Sequence, residues 1–215
     1  MANYHKYILD KKKRVIIGDF EAAYSKCEIV YPGQLELHTV KHRLITEICQ
    51  RLRPNDKVLD IGCGYGYFTS FLSNNSQVDI YGSDISPTAL QKGLQVHEHK
   101  GLVVADISND LPFKSDTFDA VICLGVLALL FDKIEKCLIN MKRILKEKGL
   151  LILSVYVPEN PIGSEYIKNK EELYNVIGKF FQVNEVCLIW DHKGIKEGKS
   201  LDHCDDDLLV FAQKI

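Results

Sequence analysis

The sequence predicts an α/β protein: a doubly wound, mostly parallel sheet with helices on both faces and a short helical cap at the N-terminus. Three observations lead there. Short β-type runs alternate with stretches of helical periodicity through the middle of the chain. Two of those runs, AVICL and LLILSV, are almost unbroken apolar segments, as strands buried on both faces are. Glycines crowd the end of the first run, where ligands of open α/β sheets bind.

Residues 1 to about 33 hold tyrosines 4, 7, 24 and 31 and read as the cap. Leu37, Val40, Leu44, Ile48 and Leu52 then mark a long amphipathic helix. Lys57 to Ile61 (KVLDI) is the first strand, and Phe68, Phe71 and Leu72 beyond the glycines sit at helical spacing. Val78 to Gly82 is the second strand. Ser86 and Pro87 open the next helix, as N-cap and first-turn proline. Leu102 to Ala105 and Phe118 to Leu124 are the third and fourth strands. Ile134, Leu138, Met141, Ile144 and Leu145 give one apolar face to a helix from about Asp132 to Lys146, which Gly149 is predicted to stop. Leu150 to Val157 is the fifth strand. After Pro158, a helix at about Lys168 to Lys179 leads to Val183–Trp190, a polar loop and Leu208–Ala212, a hairpin at one sheet edge.

The 215 residues, 46% hydrophobic and 26% charged, suit one domain: cap and helix to about 53, core over 54–157, C-terminal helix and hairpin over 158–215. Lys and Arg total 27 against 29 acids, which argues against a dedicated DNA binder. The seven cysteines are odd in number and form no C-x-x-C pair, the usage of a reducing compartment rather than of a zinc or disulfide framework. The N-terminus lacks a signal-peptide pattern, and the longest apolar run, Ala120 to Phe131, falls short of the roughly twenty residues a bilayer needs. A cytoplasmic protein with no membrane contact is expected.

The chemistry concentrates at three strand ends. Gly62, Gly64 and Gly66 allow a tight turn and close approach of backbone N–H groups to a ligand. Asp60, two residues earlier, would repel a pyrophosphate but attract a ligand carrying an amine and a sulfonium. Asp84 ends the second strand, where a carboxylate can accept both hydroxyls of a ribose. Asp106 ends the third, after Ala105, where a side chain can meet an adenine amino group.

VLDIGCGYG, YGSDISPTAL, VVADISNDLPFKSDTFDAVICLGVL and LKEKGLLILSV resemble, in order and spacing, the motifs of class I S-adenosylmethionine-dependent methyltransferases over residues 54 to 157. The resemblance implies a seven-stranded sheet with its last strand antiparallel. It implies S-adenosylmethionine as cofactor, held at its methionyl part by Asp60, Gly62, Cys63, Gly64, Tyr65 and Gly66 and at its ribose by Asp84. Ile85 and Ser86 would flank the adenosine, Ala105, Asp106 and Ile107 would bind the adenine edge, and Leu124 would lie near the methionine tail.

The fourth strand ends Cys123-Leu124-Gly125-Val126, not in the Asn/Asp-Pro-Pro-Tyr of base and glutamine N-methyltransferases, and it offers no Asp for a catechol-type magnesium. No metal is expected, and Cys123 reads as core. Ala128 and Leu129 stand where the family often has histidines, so a base must come from elsewhere. His38 and His42 share one helix face, which either meets solvent or turns His38 toward cofactor and substrate. Tyr31 either closes over the cofactor or packs, and Tyr156 is a candidate for the acceptor pocket. His97 and His99 read as a charged helix end, and Asp202 to Asp207 as a solvated loop. Lys11-Lys12-Lys13-Arg14 reads as an exposed polar segment or a hold on an anionic small substrate; RNA contact would call for interleaved aromatics and a wider patch.

The short cap favours a modest acceptor, and its Tyr-rich segment is loosely similar to nodulation-type N-methyltransferases that act on saccharides. The expectation is therefore methyl transfer to an O or N of a small polar acceptor, sugar- or nucleotide-linked, with nucleic acid not expected as a partner. The alternatives are an RNA or protein methyltransferase and a non-catalytic S-adenosylmethionine-binding module.

Overall fold

The apolar runs become neighbouring strands of one sheet. The computed structural model describes residues 4–10, 15–27, 39–98, 100–157, 170–190 and 206–215. The cap holds α1 (His5–Ile8), a two-residue antiparallel ladder of β1 (Leu9–Asp10) and β2 (Val15–Ile16), and α2 (Phe20–Lys26). Asp19 caps α2 by accepting from the Ala22 N–H at 2.9 Å. There follow α3 (Thr39–Cys49), β3 (Lys57–Ile61), α4 (Tyr67–Asn75), β4 (Asp79–Asp84), α5 (Pro87–Val96), β5 (Leu102–Val104) and β6 (Phe118–Leu124). Two short 3-10 turns lead into α6 (Ile134–Ile144), then β7 (Leu145–Val157), α7 (Lys170–Gly178), β8 (Phe181–Trp190) and β9 (Asp206–Lys214).

Seven strands form one sheet in the order β5-β4-β3-β6-β7-β9-β8. Six run parallel, and β9 is antiparallel to both its neighbours. The chain builds outward from β3 to β5, then returns to lay β6 against the other side of β3. That reversal opens a crevice at the C-terminal strand ends.

Side-chain alternation divides the core between the two faces. Val121 and Cys123 of β6 join Ile134, Leu138, Met141 and Ile144 of α6 and Leu173 and Ile177 of α7. Ala120 and Ile122 join Ile45 and Ile48 of α3 and Leu72 of α4. A third cluster sews the cap to the domain through Ile8, Ala23, Tyr24, Cys27, Tyr65 and Ala89.

The junction of α6 and β7 departs from expectation. The helix ends at Ile144 rather than Lys146, because fully buried Leu145 turns extended and pairs with Phe118. Pairing resumes between Leu150 and Ala120, so Lys146–Gly149 forms an irregular, bulged stretch of β7 with Lys148 at φ 60°. Gly149 thus serves this bulge, where a Cβ would lie 2.8 Å from the Lys146 carbonyl, and it does not stop the helix.

Gly93 inside α5 is another close approach: a Cβ there would lie 2.3 Å from the Tyr65 carbonyl oxygen. In an open helix, Gly→Ala gains up to about 1 kcal/mol. Here the obstacle is backbone of the glycine loop, so Gly93→Ala is expected to destabilise by about 1–3 kcal/mol, the range of an overpacked core. Urea unfolding checks it, and a raised midpoint would contradict the packing argument.

Among the described residues no helix is long and apolar enough to cross a membrane.

Candidate active site

A cavity of about 700 Å³ lies at the C-terminal ends of β3, β4 and β6, a size typical of ligand pockets. Gly62 from the end of β3 faces Val126 from the end of β6. Gly62 has φ 74°, and a Cβ on it would lie 2.2 Å from Val126 Cγ2. Only glycine fits this cradle without displacing the opposite wall.

Asp84 anchors the loop and still faces the cavity. Its Oδ2 accepts from the Gly64 N–H at 2.8 Å and its Oδ1 from the Ser86 N–H at 2.9 Å. A carboxylate has about four acceptor positions, and the Ile85 N–H bears on this one as well, so the side chain keeps room for a ligand hydroxyl. Burial pushes its pKa up, and the backbone N–H groups oppose that by holding the charged form.

Asp60 lies beneath the loop rather than on the cavity wall. It is 3% exposed and accepts from Thr69 Oγ1 at 2.7 Å. Burial, only partly countered by that hydroxyl, pushes its pKa up to about 7.

Asp106 is shaped by its own turn. Its Oδ1 accepts from the N–H and hydroxyl of Ser108, each at 2.8 Å, and its Oδ2 from Asn109 Nδ2 at 2.8 Å. Asn140 of α6 fixes this turn from behind, donating to the carbonyls of Ile107 at 2.8 Å and Asn109 at 2.6 Å. The sequence reading missed Asn140. Its signal was a polar residue inside the apolar stripe, between Cys137 and Ile144.

The cap roofs the cavity with Ile16, Ile17, Gly18, Phe20 and Tyr24. Glu21 latches it by accepting from the hydroxyls of Ser86 and Thr88, at the N-terminus of α5, and those bonds hold its carboxyl below the ordinary range. Lys92 Nζ donates to the Tyr24 carbonyl at 2.6 Å, and the Tyr24 ring meets Tyr65 edge-on at 5.1 Å. No local pattern links Glu21 to residues more than sixty positions away, so these contacts had no signal in the sequence.

Of the expected cofactor residues, Gly62, Asp84, Ile85, Ala105, Asp106, Ile107 and Leu124 line the cavity. Asp60, Cys63, Gly64, Tyr65, Gly66 and Ser86 are buried behind it. Cys123 is fully buried in the core, and burial pushes its thiol well above the ordinary range. Tyr31, His38, His99, Lys11–Arg14 and Asp202–Asp205 lie outside the described residues, as do the side chains of His42 and Tyr156. Val126, Leu129, Asp132 and Lys133 also line the cavity and were not foreseen.

A family model described as a methyltransferase domain matches residues 52–204. The 18S rRNA (guanine-N(7))-methyltransferase of Bos taurus is 34% identical over 127 residues, covering 53% of this chain and 44% of that protein. The 18S rRNA (guanine(1575)-N(7))-methyltransferase of Saccharomyces cerevisiae is 23% identical over 149 residues, 68% of this chain and 54% of that protein. The chain thus spans about half the length of these curated relatives. Among solved structures, the N-methyltransferase NodS of Bradyrhizobium japonicum with S-adenosyl-L-homocysteine superposes with a TM-score of 0.69 at 18% identity, covering 90% of this chain and 97% of that one. The methyltransferase in complex with the Haloferax volcanii Trm112 activator gives 0.67 at 20% identity, covering 85% and 92%. These superpositions show the fold.

The relatives correct one expectation. A small-molecule acceptor, with nucleic acid set aside, does not stand against relatives named as rRNA methyltransferases. The inference from a short cap and a near-neutral charge failed because net charge averages over the surface and does not report a local patch.

Proposed function

The chain belongs to the methyltransferase-domain family, as a class I S-adenosylmethionine-dependent methyltransferase, and we propose that it methylates a guanine ring nitrogen in RNA. The 34% identity to an rRNA guanine-N7 enzyme carries the acceptor class. The end of β6 supports it chemically. Guanine N7 carries no proton and its in-plane lone pair is free to attack the methyl carbon as the sulfonium C–S bond breaks, so no base is needed at that step. Leu124, Gly125 and Val126 bring neither acid nor amide to this wall. An exocyclic amine or a hydroxyl would need more help than such a wall offers.

The residues present fit the cofactor. Gly62 leaves a cradle that a Cβ would fill, and Asp84 faces the cavity with acceptor capacity left. When bound, S-adenosylmethionine supplies the electrophilic methyl group. Asp84 would hold the ribose hydroxyls, and half-exposed Ile85 would pack on the adenine beside Asp106 and Ile107. Gly62 and Gly64 would let backbone approach the methionyl part, with Asp60 as the buried counter-charge beneath. Val126, Leu129 and the cap residues Phe20 and Tyr24 would exclude water and align the base, where alignment alone can supply about 7–11 kcal/mol. In this reading residues 1–215 act as one methyltransferase domain, with 54–157 holding the cofactor and the flanking segments shaping the acceptor side.

The test is incubation with methyl-labelled cofactor and ribosomal RNA, followed by nuclease digestion and mass spectrometry. Label is expected in 7-methylguanosine. Label confined to protein or to small molecules would overturn the acceptor assignment.

A further inference from the structure

One face of the cap has no part in the cofactor cavity. The ammonium groups of Lys6 and Lys26 both stand over the ring of Tyr7, at 4.8 and 5.3 Å from its centroid. Both lysines are exposed and Tyr7 is half-buried. Neither ammonium is bonded to a carboxylate among the described residues. Two like charges gathered on one ring repel each other, and an anion between them relieves that repulsion.

The same face adjoins the cavity. The Asp19 N–H donates to the Tyr7 carbonyl at 2.9 Å, and the residues on either side of Asp19, Gly18 and Phe20, line the cavity. Exposed Lys133 lines the cavity too, beside exposed Asp132, so this pair adds no net charge. A chain entering the cavity with one of its units from the side of the cap therefore passes the Lys6 and Lys26 ammonium groups.

We propose that Lys6, Tyr7 and Lys26 form a docking face for the single-stranded RNA next to the target nucleotide. The ammonium groups meet neighbouring phosphates, and the Tyr7 ring, packed on the cap and covered by both, holds the two cations side by side. A positively charged face that tracks the backbone is how proteins hold single strands without reading sequence. A base methylated on its ring has to leave its stack, so its neighbours need holding. An acidic peptide would satisfy the lysines as well, but the guanine acceptor proposed above puts an RNA strand, not a peptide, at the mouth of the cavity.

The proposal rests on the RNA reading above, and its test separates the two. The Lys6→Ala/Lys26→Ala double variant is compared with wild type and with Lys114→Ala/Lys148→Ala, which removes equal charge from the opposite end of β6 and β7. The double variant is expected to raise the KM for RNA about tenfold. It should also flatten the dependence of log KM on log salt by about 1.4, about 0.7 for each lost single-strand phosphate contact. The affinity for S-adenosylhomocysteine should stay the same, and the control pair should match wild type. If wild type methylates RNA and the double variant keeps its KM and salt slope, the docking face is wrong and the RNA reading stands. If wild type methylates no RNA, both fall.

Discussion

Asp84→Ala is expected to lower the affinity for S-adenosylhomocysteine by about a hundredfold or more. A hydrogen bond to a charged acceptor contributes about 1.5 kcal/mol or more, and losing two gives about 3 kcal/mol, or two decades of affinity. The side chain serves two functions, and the variants separate them. Its oxygens tie down the N–H groups of Gly64 and Ser86, so alanine frees the glycine loop as well as removing the ribose acceptors. Asp84→Asn keeps the shape but turns an NH2 toward one of those N–H donors, so some loosening of the loop persists. Calorimetry reports affinity for both variants, and urea unfolding reports the loop's share of stability. An affinity unchanged in Asp84→Ala would refute the ribose assignment. An affinity that falls only as far as stability does would make Asp84 a structural anchor.

How much of this was legible in the sequence follows from the range of the interactions. The strands Lys57–Ile61 and Phe118–Leu124 form as read, because runs rich in Val, Ile and Leu need burial on both faces and the parallel sheet supplies it. Ser86 caps α5 as read, accepting from the Ala89 N–H, because capping is decided within four residues. The motif resemblance implied the seven-stranded sheet, its antiparallel last strand and the cofactor for the same reason, since each motif is a local turn at a strand end. Contacts made across the chain left no such trace. Glu21 meets Ser86, Asn140 meets Ile107, and Gly62 faces Val126 only once the sheet has brought these loops together. Tertiary packing also overrode local signals at Leu145, where the core drew a helix-periodic residue into the ladder. Asp60 was read as facing the ligand, but its carboxylate is turned onto Thr69 by a helix nine residues on.

That burial makes Asp60 a source of pH dependence in the chain's stability. Its pKa is 3.8 in an exposed reference state and about 7 in the fold. Between those values the folded protein holds a proton that the unfolded chain has lost, so the group's contribution is fully present below about pH 4 and is lost as pH rises through about 7. A shift of this size corresponds to about 4 kcal/mol. Groups with lowered values, Glu21 and Asp79 among them, contribute in the opposite direction at lower pH, so wild type alone does not isolate the effect. The difference between wild type and Asp60→Asn does. The amide keeps an acceptor for Thr69 and does not ionise, so its stability relative to wild type should climb from pH 5 to pH 8 by a few kcal/mol in urea unfolding. A difference flat across that range would mean that Asp60 titrates as an ordinary carboxylate. The same proton links the site to its ligand. A cation over the loop favours the ionised carboxylate, so binding of S-adenosylmethionine near pH 6.5 should release a proton from wild type and none from Asp60→Asn. Calorimetry in two buffers of different ionisation enthalpy measures that release directly. Equal release from both proteins would remove Asp60 from the methionyl end of the site.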